Sequence, residues 1–156
     1  VGHNGSRAGV YIYNNTVVAN GSPDHRIGGS GGIDLRSVNL ADVLIANNIC
    51  YSNYAFEIAT FNNVVKGIDA LTRFNIVIDN NLMGEFKSVE EKKGTMPKVY
   101  QYLGENYIVA DPKFVDISRH DYRLMSDSPA INAARTVFDF PTGANIGALT
   151  DGYNPE

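Results

Sequence analysis

With 156 residues, 44% of them hydrophobic and 19% charged, the chain is long enough for one domain with a real core. A formal net charge of −4 gives no reason to expect a nucleic-acid partner, and no apolar run approaches the length of a membrane span. The single cysteine, Cys50, excludes an intrachain disulfide framework and a cysteine-based zinc site; set in an apolar run, it reads as an inert core thiol.

The chain opens on Val1 in mid-pattern, with a polar, glycine-rich turn over residues 1–9 and nothing resembling a cap before the first apolar run. That run, Val10-Tyr11-Ile12-Tyr13-Asn14-Asn15-Thr16-Val17-Val18, returns as Val43–Tyr51 and again as Ile76–Met83. The asparagine pairs fall at 14/15, 47/48 and 80/81, a constant step of 33. Each copy is a β-branched run, the pair, and a second short apolar run. A period of this size predicts stacked repeats. Asn tolerates left-handed backbone angles, so one of each pair suits a sharp turn. Amides stacked at the strand spacing of roughly 4.8 Å would form a hydrogen-bonded ladder.

Between the copies, 20–32 is a loop rich in turn formers, and Ile33-Asp34-Leu35-Arg36 alternates as a strand with one buried face. Phe56-Glu57-Ile58 repeats that alternation 23 residues on, a plausible coil length, with a further insertion over 60–74. Residues 1–83 are therefore assigned to coils and 84–105 to a charged loop excursion carrying Glu85, Lys87, Glu90, Glu91, Lys92 and Lys93. Residues 106–156 are assigned to an irregular tail that caps the last coil.

The tail carries Asp111-Pro112-Lys113-Phe114-Val115-Asp116, Asp121-Tyr122-Arg123-Leu124, Ser128-Pro129-Ala130-Ile131 and Asn145-Ile146-Gly147-Ala148. Together with the strand–Asn–Asn–strand units, these motifs resemble the C-terminal end of right-handed parallel β-helix proteins. The nearest groups are the pectate-lyase-like, chondroitinase-B-like and alginate-lyase-like carbohydrate-active enzymes. The chain departs from their usual tail at Asn132, Ala134 and Asn145, where Asp, Gly and Asp are common. The resemblance implies an all-β, right-handed parallel β-helix, of which this chain supplies C-terminal coils plus the tail. It also implies secretion or a periplasmic location, and a partner in the missing N-terminal coils of the same protein. The tail is read as structural: Pro129 and Ala130 pack a turn, and Asp111 and Asp116 cap backbone N–H groups.

In such a fold, Ile33/Leu35 and Phe56/Ile58 would point inward, leaving Asp34 and Glu57 outward and stacked one coil apart. Like charges at that distance repel unless a proton or cation is shared, and calcium, with several oxygen ligands at about 2.4 Å, is the natural guest. β-Elimination of a polyuronate needs the C6 carboxylate neutralised and a base for the C5 proton. The resemblance implies Ca²⁺ for the first task and Lys or Arg for the second. Asp34 and Glu57 are accordingly the metal candidates, and Arg36, Arg26 and His25 the catalytic ones. The expected function is a polysaccharide lyase acting on an acidic glycan. A glycoside hydrolase, a uronan epimerase and a non-catalytic glycan-binding or adhesin solenoid are the alternatives. Substrate contact is expected at the insertions 20–32 and 60–74.

Overall fold

The computed structural model describes residues 9–22, 31–35, 41–61, 75–85, 99–101, 104–137 and 144–148. Each sequence repeat builds one layer of three strands. The first layer is β1 (Val10–Tyr13), β2 (Thr16–Val18) and β3 (Ile33–Leu35), and the second is β4 (Val43–Ala46), β5 (Ile49–Tyr51) and β6 (Ile58–Phe61). The third is β7 (Ile76–Asp79), β8 (Leu82–Met83) and β9 (Val99–Gln101). Equivalent strands stack into three sheets, β1-β4-β7, β2-β5-β8 and β3-β6-β9. The pairings are parallel except the last, where β9 runs antiparallel to β6. The chain is thus all-β, with the stacked parallel strands of a β-solenoid. Among the described residues no helix is long and apolar enough to cross a membrane.

In the first two sheets the register equals the repeat: Val10, Val43 and Ile76 lie opposite one another, as do Thr16, Ile49 and Leu82. Alternation along each strand then decides which side chains face the interior. Val43, Ile45, Cys50, Ile76, Ile78 and Met83 point inward, joined by Ile33, Leu35 and Ile58 from the third sheet. Burying one such aliphatic side chain contributes about 1.5–3 kcal/mol, so the interior is the main source of stability.

The two asparagines of each pair divide the work. The first takes the left-handed turn, with φ of 55°, 54° and 50° at Asn14, Asn47 and Asn80. The second builds the ladder. Asn15 donates its backbone N–H (3.0 Å) and Nδ2–H (3.1 Å) to Asn48 Oδ1, and Asn48 donates both to Asn81 Oδ1 (3.0 and 2.9 Å). Asn48 and Asn81 are fully buried, so each amide depends on its neighbour for partners.

A partial fourth layer follows. Glu105 bridges Asp79, and β10 (Ile108–Val109) adds in parallel to β8. Gly104 makes this approach possible: its φ is +78°, and a Cβ there would sit 2.3 Å from the Ile78 carbonyl oxygen. Beyond it, β11 (Phe114–Asp116) and β12 (Asp121–Leu124) form an antiparallel hairpin around a 3-10 turn, Ile117–Arg119. The capping aspartates behave as expected. Asp111 Oδ1 accepts from the N–H of Lys113 (2.8 Å), and Asp116 Oδ1 from those of Ser118 and Arg119 (3.0 and 3.3 Å).

The tail starts over the last coil, where β10 stacks on β8, and then leaves it. It runs along the outside of the β2-β5-β8-β10 sheet, where Phe114, Ala130 and Ile146 pack on Ile49 and Leu82. Polar contacts carry it back across the layers. Asn80 Nδ2 donates to the Ala133 carbonyl and Asn47 Nδ2 to that of Arg135 (both 2.8 Å), while the N–H of Ala148 reaches Thr16 Oγ1 (3.1 Å). The cause is local: Ile49-Cys50 and Leu82-Met83 are apolar on both faces, so the outer face of this sheet needs a cover.

Candidate functional site

His25, Arg26 and Arg36 lie outside the described residues, as does most of the two insertions. Asp34 is on the outer face of β3, away from the interior cluster, as the alternation requires. Its neighbour on the next layer is Ala59, not Glu57, because β3 and β6 pair with a step of 25, Ile33 opposite Ile58. The expected Asp34–Glu57 stack is therefore not formed. Phe56 is displaced with it and packs with Ala55 and Ala59, not with the interior cluster. Glu57 falls in the turn before β6 and is only 3% exposed.

What Glu57 does instead follows from a second amide column. Asn20 donates its backbone N–H and its Nδ2–H to Asn53 Oδ1 (both 3.0 Å), again across 33 residues. Asn53 Nδ2 reaches the Val17 carbonyl oxygen (3.0 Å) and also donates to Glu57 Oε2. A carboxylate thus stands where a third amide would continue the column. The other oxygen, Oε1, faces Gly84: a Cβ built there would lie 3.0 Å from it and 3.2 Å from Tyr51 Cδ2. Glycine at 84 keeps this space open.

That space is a cavity of about 270 Å³ lined by Tyr51, Ser52, Glu57, Gly84, Glu85, Val109, Ala110 and Asp111. The lining comes from the ends of three stacked strands. Gly84 hydrogen-bonds to the Cys50 carbonyl and Ala110 to that of Met83, so 51, 84 and 110 occupy successive layers, followed by 52, 85 and 111. Glu85 and Asp111 are therefore the carboxylates one layer apart that Asp34 and Glu57 were expected to be, with Glu57 at the same cavity. Among the described residues no three acidic, histidine or cysteine side chains converge closely enough to hold one metal ion.

Tyr51 forms one wall, its ring edge-on to Phe114 at 6.2 Å and 76°. Burial pushes its phenol above the ordinary tyrosine range, and the charges of Asp111, Glu57 and Glu85 push it further. A spectrophotometric titration should find Tyr51 ionising late, and Asp111→Asn should make it ionise earlier. The folded protein holds this proton in a window above pH 10, the ordinary value, where the unfolded chain has lost it. The associated stability is complete below pH 10 and is lost as pH rises through the raised value. Cys50, fully buried behind Tyr51, is shifted strongly upward by desolvation and then by Glu57, which fits an inert core thiol.

From the sequence, Glu85 belongs to a solvated loop, Asp111 to a structural tail and Asn20 to the 20–32 loop, and Asn53 is assigned no role. The 33-residue step was the available signal: it links Asn20 to Asn53, Tyr51 to Gly84 and Ser52 to Glu85. No sequence signal links Asp111 to them, since the fourth layer follows the third after a shorter step. Comparisons with protein-family models, with characterised proteins and with solved structures yield no match.

Proposed function

We propose that this chain belongs to a right-handed parallel β-helix protein, secreted or periplasmic, that processes glycans, and that the Tyr51 cavity receives one sugar unit. The observation that carries the reading is the lining itself: an aromatic wall, a buried carboxylate at Glu57 and two further carboxylates, Glu85 and Asp111, around one recess. Carboxylates accept hydrogen bonds from sugar hydroxyls, and an aromatic ring offers a surface for the sugar's apolar face. The volume lies just under the roughly 300–1,000 Å³ of pockets for drug-sized ligands, a fit for one ring and not a chain.

Glycoside hydrolysis uses a pair of carboxylates, one as acid and one as base or nucleophile, and this recess offers three. A uronate, by contrast, would meet three negative charges. β-Elimination of an acidic polysaccharide is therefore the second reading. It draws on Arg36, Arg26 and His25 as candidates and calls for a cation such as Ca²⁺ beside the substrate carboxylate.

The test is a panel of neutral and uronate-containing oligosaccharides, with and without calcium, followed by reducing-end and unsaturated-uronate assays. Release of reducing ends without unsaturation, reduced about 100-fold or more in Glu57→Gln at unchanged melting temperature, is the expected result. Unsaturated products that require calcium would replace the first reading by the second. Neither cleavage nor binding of any glycan would reject both.

A further inference from the structure

The amide columns have a direction, and it leaves the first layer incomplete. Within the stack, each column asparagine sends one Nδ2 proton back to a strand carbonyl of the preceding layer: Asn48 to Ile12 (2.9 Å), Asn81 to Ile45 (3.0 Å) and Asn53 to Val17 (3.0 Å). In every case the acceptor lies 36 residues back. Each column Oδ1, in turn, accepts two protons from the preceding asparagine.

Asn15 and Asn20 do neither. Their backward protons fold onto carbonyls two residues away in the same layer, Tyr13 (3.0 Å) and Val18 (3.3 Å). Among the described residues, nothing donates to Asn15 Oδ1 or Asn20 Oδ1. The apolar interior is open at the same end: Val10, Ile12 and Val17 are half-buried, whereas their equivalents Val43, Ile45 and Cys50 are at most 2% exposed. At the opposite end Glu105 bridges Asp79 and β10 pairs with β8.

We infer that the β1–β2 edge docks one further coil of this solenoid, stacked in parallel and carrying two asparagines five residues apart. The first would donate its backbone N–H and Nδ2–H to Asn15 Oδ1, and the second would do the same at Asn20 Oδ1. The strand carbonyls three residues before each would accept the protons now turned onto Tyr13 and Val18. A second copy of this chain fits less well. Two β1 edges related by a twofold axis would meet antiparallel, and the columns require parallel layers. The inference stands on the hydrogen-bond pattern alone and is independent of any glycan.

The probe is a synthetic peptide with the sequence of residues 43–53, which carries Asn48 and Asn53 at the required spacing. It is titrated under reducing conditions into the full chain while the side-chain amide resonances of Asn15 and Asn20 are followed by NMR. Saturable binding that shifts both amides is expected, weakened about tenfold or more when the peptide carries Asn48→Ala and Asn53→Ala. Equal binding of the two peptides would reduce the edge to an apolar surface and overturn the inference. So would no binding at all. Self-association of the chain that shifts both amides without peptide would assign the edge to a second copy and overturn it as well.

Discussion

Asn48→Asp will lower folding stability by about 3–5 kcal/mol, close to the upper limit for single substitutions. The position is fully buried, and its amide makes contacts in both directions. Asn48 Oδ1 accepts two protons from Asn15, and a carboxylate would keep those bonds. The loss is at Nδ2, which now donates to the Ile12 carbonyl (2.9 Å) and to Asn81 Oδ1 (2.9 Å). An oxygen there would face two acceptors with no proton to offer, inside a site that excludes water. Protonating the introduced carboxyl restores one donor, so the deficit should shrink as pH falls. Asn15→Ala, at the open end of the same column, should cost no more than about 1 kcal/mol, since water replaces what is removed. Urea denaturation with unchanged slope measures both. A deficit at position 48 no larger than that at position 15 would show that the column is not a structural element.

Phe114→Ala will cost about 3–5 kcal/mol, and the loss will reach the cavity. Phe114 is 8% exposed and sits between two aromatic neighbours, Tyr122 at 5.4 Å and 72°, and Tyr51 at 6.2 Å and 76°. It also belongs to the cluster with Ile49 and Leu82, which joins tail to sheet. Truncation leaves a void that the hairpin cannot fill without leaving the sheet, and it removes the edge that fixes the Tyr51 ring. The melting temperature should therefore fall, and the late tyrosine titration should move toward the ordinary range as Tyr51 gains access to water. A double-mutant cycle with Tyr51→Leu should return a coupling of about 0.5–1.5 kcal/mol. Additivity would mean that Phe114 supports the sheet without supporting the cavity wall.

The two variants probe parts of the fold that differ in how far the amino-acid sequence announces them. The column around Asn48 was legible in advance, because the step of 33 and the flanking β-branched runs are local properties repeated three times. A stacked strand repeats its side-chain pattern wherever the layer repeats, so the step sets the first two sheets and their register. Asn20 and Asn53 obey the same step, so the second column carries the same signal.

The third sheet was not legible in the same way. Ile33-Asp34-Leu35 and Phe56-Glu57-Ile58 look alike, and alternation alone cannot separate offsets that differ by two, since both keep apolar residues inward. No asparagine marks the register there. Packing chose 25 over 23, which sent Glu57 into a turn, where Asn53 holds it beside Tyr51. The cavity could not be read from the chain because its parts belong to separate layers and to the tail, joined only by stacking. The tail motif likewise announced turns and aspartate caps, both of which are present, but not the surface they would cover. That was decided on the outer face of the β2-β5-β8 sheet, where Ile49 and Leu82 draw in Phe114, Ala130 and Ile146 across long sequence separations. Periodic local pattern determined the layers; tertiary packing determined which carboxylates came to share a recess, because that depends on which faces the layers leave uncovered.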